Sequence, residues 1–250
     1  MLMPKTVRFR IKRRDSPQTS AYWEEFEIVD RPAMNVISAL MDIQKNPVTA
    51  TGKRTTPVVW DCNCLEEVCG ACTMIINGKV CQSCSTLVKH LDRPVVLEPM
   101  TKFPVVRDLL VDRSRMFEAL KRVKAWIPID GTYALGPGPR MSQQDQEAGY
   151  TFSRCMTCGC CLEVCPQVNR MTHFMGAAAI AQVRLFNTHP TGKFNKSERL
   201  QALMEEGGIA DCGNAQNCVQ VCPKDIPLTK AIAEVNREVI KEAFKGWLAK

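Results

Sequence analysis

Fourteen cysteines stand in this 250-residue chain, and they fall in three tight groups separated by long stretches that contain none. The first group, DCNCLEEVCGAC, spaces Cys64, Cys69 and Cys72 as C-x4-C-x2-C, and Cys84 follows beyond an Asn77-Gly78 dipeptide. Three thiolates on one loop, with a fourth returned by a hairpin, is the plant-type arrangement for a [2Fe-2S] cluster. Gly70 would let the backbone come close to the inorganic sulfides and offer them N–H donors. A zinc site would pair Cys69 and Cys72 with Cys81 and Cys84, but it strands Cys64 and leaves the wider spacing unexplained. Cys62 and Cys81 remain over and read as small buried hydrophobes.

The second group, CMTCGCCLEVCP, reads Cys155-x2-Cys158-x2-Cys161-x3-Cys165-Pro166, the bacterial ferredoxin run with Cys160 added between ligands. In two-cluster proteins the first three cysteines of such a run hold one cubane and the fourth reaches the other, so a second run is required. It is present as CGNAQNCVQVCP: Cys212, Ala215 where a cysteine is due, Cys218, Cys222 and Pro223. Cys155, Cys158, Cys161 and the crossing Cys222 therefore make a [4Fe-4S] set. Cys165, Cys212 and Cys218 hold three irons, and Ala215 has no atom for a fourth. A [3Fe-4S] cluster is expected there, with a cubane carrying one labile, water-held iron as the alternative. Pro166 and Pro223 fix φ and lack an N–H, so each turns the chain after a crossing ligand. Cys160 breaks the period and is expected to be a core residue. His90, His173 and His189 lie outside the motifs and show no Rieske spacing.

No nucleophile with its base, no phosphate loop and no G-x-G-x-x-G fingerprint accompanies these cysteines, so the chain is expected to move electrons rather than transform a substrate alone. A 45% hydrophobic and 24% charged composition is that of a soluble globular chain, and the length suits two domains. The net charge of +7 does not point to nucleic acid, because the basic run from Lys5 to Arg14 alternates with Val7, Phe9 and Ile11 and forms one polar strand face. An acidic protein or anionic membrane surface is the expected neighbour. The N-terminus has no apolar run that could act as an export signal, and the most apolar stretch, GAAAIAQVRLF, is broken by Arg184. A disulfide framework is therefore not expected.

The elements that must position these groups divide at about residue 108. Residues 6 to 12 and 22 to 29 alternate as paired strands with oppositely charged outer faces, Phe26 and Ile28 pointing inward. Val36, Ala39, Leu40 and Ile43 follow helical spacing. Thr73 to Ile76 leads into the Asn77-Gly78 turn, and Val95 to Leu97 adds a strand. Beyond residue 109 helices are expected over Leu110 to Trp126, Phe174 to Phe186, Ser197 to Glu206 ending at Gly207-Gly208, and Leu228 to Leu248, with no further strand. The stretch GTYALGPGPRMSQQDQEAGY reads as a surface loop arching over the second cysteine group. The fold class is thus α+β: residues 1–108 with the [2Fe-2S] site, then an all-α region over 109–250 with the [4Fe-4S] and [3Fe-4S] sites.

CNCLEEVCGAC, CMTCGCCLEVCP and CGNAQNCVQVCPK together resemble the iron-sulfur subunit of succinate dehydrogenase and fumarate reductase, over essentially the whole chain. The resemblance implies an N-terminal β-grasp ferredoxin domain and a C-terminal α-helical ferredoxin domain. It implies a flavoprotein subunit carrying FAD and the dicarboxylate site, and a membrane-anchor cytochrome b subunit carrying the quinone site. This chain would be held by the anchor at the cytoplasmic face of the cell membrane. Electrons would run from FAD through the three clusters to haem b and quinone, or backwards in a quinol:fumarate reductase. Many ubiquinone-reducing members place a Trp and a His where this sequence has Asn169 or Arg170, and Gly213. It is more similar to members with a single di-haem cytochrome b reacting with menaquinone. A free-standing carrier, or a relay subunit of another oxidoreductase, is the competing class, although its second run normally keeps all its cysteines.

Overall fold

The computed structural model describes residues 5–127, 140–169 and 171–248. The chain divides into two compact units, Met1–Arg113 with Met156–Glu163, and Ser114–Cys155 with Val164–Lys250. The boundary lies a few residues beyond the one expected, and one turn of the second cysteine group is counted with the first unit.

In the first unit, β1 (Thr6–Arg13) pairs antiparallel with β2 (Tyr22–Val29), setting Arg8 opposite Glu27 and Arg10 opposite Glu25. The register puts opposite charges together on the outer face, and Arg8 reaches both Glu25 and Glu27. Helix α1 (Val36–Lys45) buries Val36, Ile37, Ala39, Leu40 and Ile43 in one core with Phe9, Ile11, Phe26 and Leu97. β3 (Thr73–Ile76), β4 (Lys79–Gln82) and β5 (Val95–Glu98) complete a five-stranded mixed sheet of order β2-β1-β5-β3-β4, in which β5 runs parallel to β1. Asn77 and Gly78 both take positive φ, as the two-residue turn between β3 and β4 requires. Asn35 caps α1 by accepting from Ser38 N at 2.8 Å, while its Nδ2 donates to the Cys84 carbonyl at 2.8 Å. The helix start is thereby fixed to the fourth cysteine of the first group.

Two expectations are corrected at the end of this unit. Val105–Arg107 (β6) and Leu110–Val111 (β7) form a small hairpin, so a strand does occur past residue 109. The helix there, α2, spans only Ser114–Arg122. Asp108 explains the turn, since it has φ of 47° and its buried carboxylate accepts from Arg14 N and Val59 N. Leu110 and Val111, which look like the first turn of a helix, belong to that hairpin. Lys124, with φ of 48°, follows the end of α2.

The second unit packs α2, α3 (Gln143–Ser153), α6 (Lys196–Met204) and α8 (Leu228–Leu248) against α5 (Gly176–Thr188). Ile180, Val183, Leu200, Leu203, Ala231 and Val235 are buried among them. Arg199 is fully buried on α6, yet each of its three nitrogens is bonded: it reaches the carbonyls of Lys124, Trp126 and Gly192, and Asn187 Oδ1. The expected surface loop is corrected in part, because its second half is helical. Ser142 accepts from Asp145 N at 3.1 Å, an N-cap that starts α3 among residues whose Gly and Gln content suggested a loop. Residues 131–139, and with them the suggested arch over the second cysteine group, lie outside the described residues. Two further single-turn helices, α4 (Cys160–Glu163) in the first unit and α7 (Asn217–Gln220) in the second, sit inside the cysteine runs.

Candidate metal centres

The loop over residues 62–72 curls because Leu65, Glu67 and Gly70 take positive φ. Alternating hand of this kind turns successive backbone N–H groups to one side, the geometry of an anion-binding nest. Cys64 Sγ sits in it, accepting from the N–H of Glu66 at 3.4 Å and of Val68 and Cys69 at 3.3 Å. Cys69 Sγ accepts from Ala71 N at 3.4 Å and Cys64 N at 3.5 Å. The N–H groups of Glu66 and Val68 bring the Cys64 thiol down to about 7, so it stands ready as the thiolate a metal requires. Cys72 is the opposite case: burial pushes its thiol up to about 12.

The β3-β4 turn returns Cys84 to Cys72, and the two thiols hydrogen-bond each other. Ser83 seals the join, its N–H and hydroxyl both donating to the Cys72 carbonyl, at 3.2 and 2.9 Å. Cys62 stands close enough to Cys69, Cys84 and Cys64 for their charges to act on it. Burial is the first cause of its own raised thiol, with Asp61 next. Cys62 and Cys81 are half-buried against the hydrophobic core, where small apolar side chains belong.

What fixes this loop to the sheet is Arg13, which alternation with Val7, Phe9 and Ile11 places on the inner face of β1. Its Nε donates to Asp108 Oδ1 at 2.9 Å, its Nη1 to Glu24 at 2.5 Å and its Nη2 to the Thr56 carbonyl at 3.1 Å. Asp108 in turn holds Val59 N at 2.9 Å. The segment entering the cysteine loop is thus pinned from two sides. Reading the basic run as one polar face missed Arg13, although the period of two carried the signal.

Gly70 serves a further purpose. A Cβ on it would come within 2.6 Å of Cys158 Cα, so the first cysteine loop and residues 156–163 meet backbone to backbone. Arg113 stands beside the contact, donating from Nη1 to the Gly70 carbonyl at 2.7 Å. On that second segment Cys158, Cys160 and Cys161 are all buried. A hydrogen bond from Cys160 brings the Cys158 thiol down to about 7 against the opposing effect of burial, and the same bond pushes Cys160 up. Gln82 Nε2 donates to Cys160 Sγ at 3.4 Å. Glu163 secures the end of α4, its carboxylate accepting from Thr101 N at 2.9 Å and Lys102 N at 3.1 Å. Of the predicted [4Fe-4S] set, Cys158 and Cys161 lie in the first unit and Cys155 and Cys222 in the second.

In the second unit one pocket is lined by Cys165, Cys212, Cys218 and Ala215, with Phe174, Ala177 and Ile232 as its apolar wall. Asn214 and Gln216 take positive φ on either side of Ala215 and bend the loop around it. Burial raises the Cys218 thiol, and the charges of Cys165 and Cys212 add to the effect. Asn217 Nδ2 donates to the Val164 carbonyl at 3.1 Å, which joins the two cysteine runs. Tight turns follow both prolines, with Val168 N donating to the Cys165 carbonyl and Asp225 N to that of Cys222. Gly213 lines the pocket, the Asn169 carbonyl accepts from Arg115 at 2.8 Å, and Arg170 lies outside the described residues.

Among the described residues no three Cys, His, Asp or Glu side chains close into the tight group that a single ion takes. Cys64 and Cys69 in the loop nest, and Cys165, Cys212 and Cys218 on one pocket wall, are soft thiolate donors of the kind that hold iron-sulfur clusters. The donor chemistry therefore fits the predicted groups.

Two domain families match the chain: a 2Fe-2S iron-sulfur cluster binding domain over residues 8–118, and a 4Fe-4S dicluster domain over residues 151–226. Together they define an iron-sulfur protein with two cluster-binding domains. The chain is 63% identical over 243 residues to the succinate dehydrogenase iron-sulfur subunit of Bacillus subtilis (strain 168), spanning 97% of this chain and 96% of that one. It is 26% identical over 244 residues to the fumarate reductase iron-sulfur subunit of Wolinella succinogenes, spanning 95% and 99%. A chain of the Mycobacterium smegmatis Sdh1 complex in the apo form shares the fold, with a TM-score of 0.79 at 23% identity, over 96% of this chain and 98% of that one. The chain belongs to the family of iron-sulfur subunits of succinate dehydrogenase and fumarate reductase.

Proposed function

We propose that this chain is the electron-transfer subunit of a membrane-bound succinate:quinone oxidoreductase. Cys64, Cys69, Cys72 and Cys84 are assigned to [2Fe-2S], Cys155, Cys158, Cys161 and Cys222 to [4Fe-4S], and Cys165, Cys212 and Cys218 to [3Fe-4S]. The chemistry these clusters supply when bound is one-electron relay, between the FAD of a flavoprotein subunit and the haem b and quinone of a membrane anchor. The protein's part is to hold thiolates, donate N–H groups to them and exclude water. The nest around Cys64 does the first two, because an N–H aimed at sulfur stabilises negative charge there. Apolar Phe174, Ala177 and Ile232 do the third at the last site.

The observation that carries the reading is the pocket with three cysteines and Ala215 on its wall. Where a fourth thiolate is due there is a methyl group, which supports [3Fe-4S] over a cubane. Among the described residues no helix is long and apolar enough to cross a membrane, and attachment at the cytoplasmic face is assigned to the anchor subunit. Asn169 and Gly213, in place of a Trp and a His, favour a di-haem anchor that reacts with menaquinone over a quinone site built partly by this chain. Ala215→Cys should convert the [3Fe-4S] spectrum to that of [4Fe-4S]. An unchanged spectrum with full cluster content would refute the assignment.

A further inference from the structure

Helix α8 carries a second apolar face that the second unit does not cover. Its inner stripe, Leu228, Ala231, Val235 and Val239, is buried. Beyond Val239 the helix runs on to Leu248, with every side chain except Glu242 exposed. Ile240, Phe244, Trp247 and Leu248 follow i, i+4, i+7, i+8 spacing, so they share a face about 100° wide, turned away from the inner stripe. Phe244, Trp247 and Leu248 are 63%, 72% and 76% exposed. Single exposed apolar side chains are normal on a surface, whereas four on one helix face form a patch.

Charge is sorted around the same helix. Glu234, Glu238 and Glu242 recur every fourth residue and face α5 and α6. Glu234 pairs with Arg184 at 2.6 Å, Glu238 with Lys196 at 2.6 Å, and Glu242 accepts from Ser197 at 2.5 Å. Lys230, Arg237 and Lys241 are exposed on a different stripe, next to the apolar patch, and among the described residues none has an acidic partner. The acids of α8 are thus neutralised within the unit, and its cations are left open in a chain of net charge +7. An anionic headgroup layer matches both features at once: its phosphates meet the cations, and its acyl boundary takes the apolar side chains. Trp suits that boundary, because its ring is apolar and its N–H polar.

We propose that the end of α8, from Arg237 to Leu248, lies along the headgroup layer of an anionic membrane and gives this chain a lipid contact of its own. The helix does not cross the bilayer, and the contact is additional to the anchor subunit of the proposed complex. Neither feature suffices alone, since lasting surface attachment takes an apolar and a basic signal together.

Flotation of the cluster-loaded full-length chain, purified without an anchor subunit, tests this against vesicles of phosphatidylcholine alone and vesicles that also contain phosphatidylglycerol. At low salt the chain should float with the second at least about tenfold more than with the first, and high salt should release it. Phe244→Glu with Trp247→Glu should abolish flotation, and Arg237→Glu with Lys241→Glu should remove the preference for phosphatidylglycerol. All four side chains are exposed, and unchanged visible cluster absorbance verifies that each variant keeps its fold. The conservative Trp247→Phe should still float but lose the vesicle-dependent blue shift of tryptophan fluorescence. Absence of flotation with phosphatidylglycerol vesicles, or flotation indifferent to the Phe244 and Trp247 changes, overturns the proposal. Loss of flotation on binding the flavoprotein subunit also overturns it, because the face is then covered by protein. The cluster assignments stand or fall separately, on the Ala215→Cys spectrum.

Discussion

At the scale of single residues, the cluster-bearing loop of the first unit depends on a charge held away from water. Arg13 and Asp108 are both 0% exposed, and each is the other's ion partner. Removing one member of such a pair strands the other, at a cost of about 3–5 kcal/mol. Arg13→Met should lower the unfolding free energy of the chain by about that much in a urea titration, while Arg8→Met on the solvent face of the same strand should change it by under about 1 kcal/mol. Gly70 is equally constrained, combining φ of 69° with a Cβ position 2.6 Å from Cys158 Cα. Gly70→Ala should cost about 1–3 kcal/mol and reduce cluster content, measured by thermal melting and iron analysis. Spacing alone suggested the cysteine sets, because ligation imposes a period of its own. The place of Gly70 against Cys158 was not legible, because no local pattern reports a contact between residues so distant in sequence.

At the scale of elements, α1, β3, β4, β5 and α8 follow directly from alternation, helical spacing and the Asn77-Gly78 turn. α3 does not, since its composition resembles a loop and its start depends on one side chain. Ser142→Ala should cost about 1 kcal/mol and lower helicity by circular dichroism. The β6-β7 hairpin was hidden for a related reason: Leu110 and Val111 suit either a strand or a helix, and Asp108 decides by tertiary bonds from Arg13, Arg14 and Val59. Carboxylates tie helix α6 to its neighbours, Glu198 to Lys124 and Asn195 and Glu242 of α8 to Ser197. Glu198 is held below the ordinary carboxylate range by the hydrogen bonds from Lys124 and Asn195, and Glu242 by that from Ser197. Because folding lowers these values, the stability they add is complete above the ordinary carboxylate pKa and is lost as pH falls through the lower folded values. The double variant Glu198→Gln, Glu242→Gln should therefore melt below the parent near neutrality and converge with it in acid, a shallower fall of melting temperature on acidification. A parallel acid limb in variant and parent would contradict this.

For the whole molecule, family membership, two cluster-binding domains and the three cysteine groups converge on one assembly of metal sites. Each unit supplies its own ground for this: a nest of N–H donors around Cys64 in the first, and a three-cysteine pocket with Ala215 in the second. The central claim is that eleven of fourteen cysteines hold three clusters of different type, the last lacking one iron. EPR of the complex purified without reductant tests it most directly, because of the three oxidised clusters only [3Fe-4S] is paramagnetic. The predicted result is one signal integrating to about one spin per chain, with about nine irons per chain. An EPR-silent oxidised protein holding about ten irons per chain would contradict it.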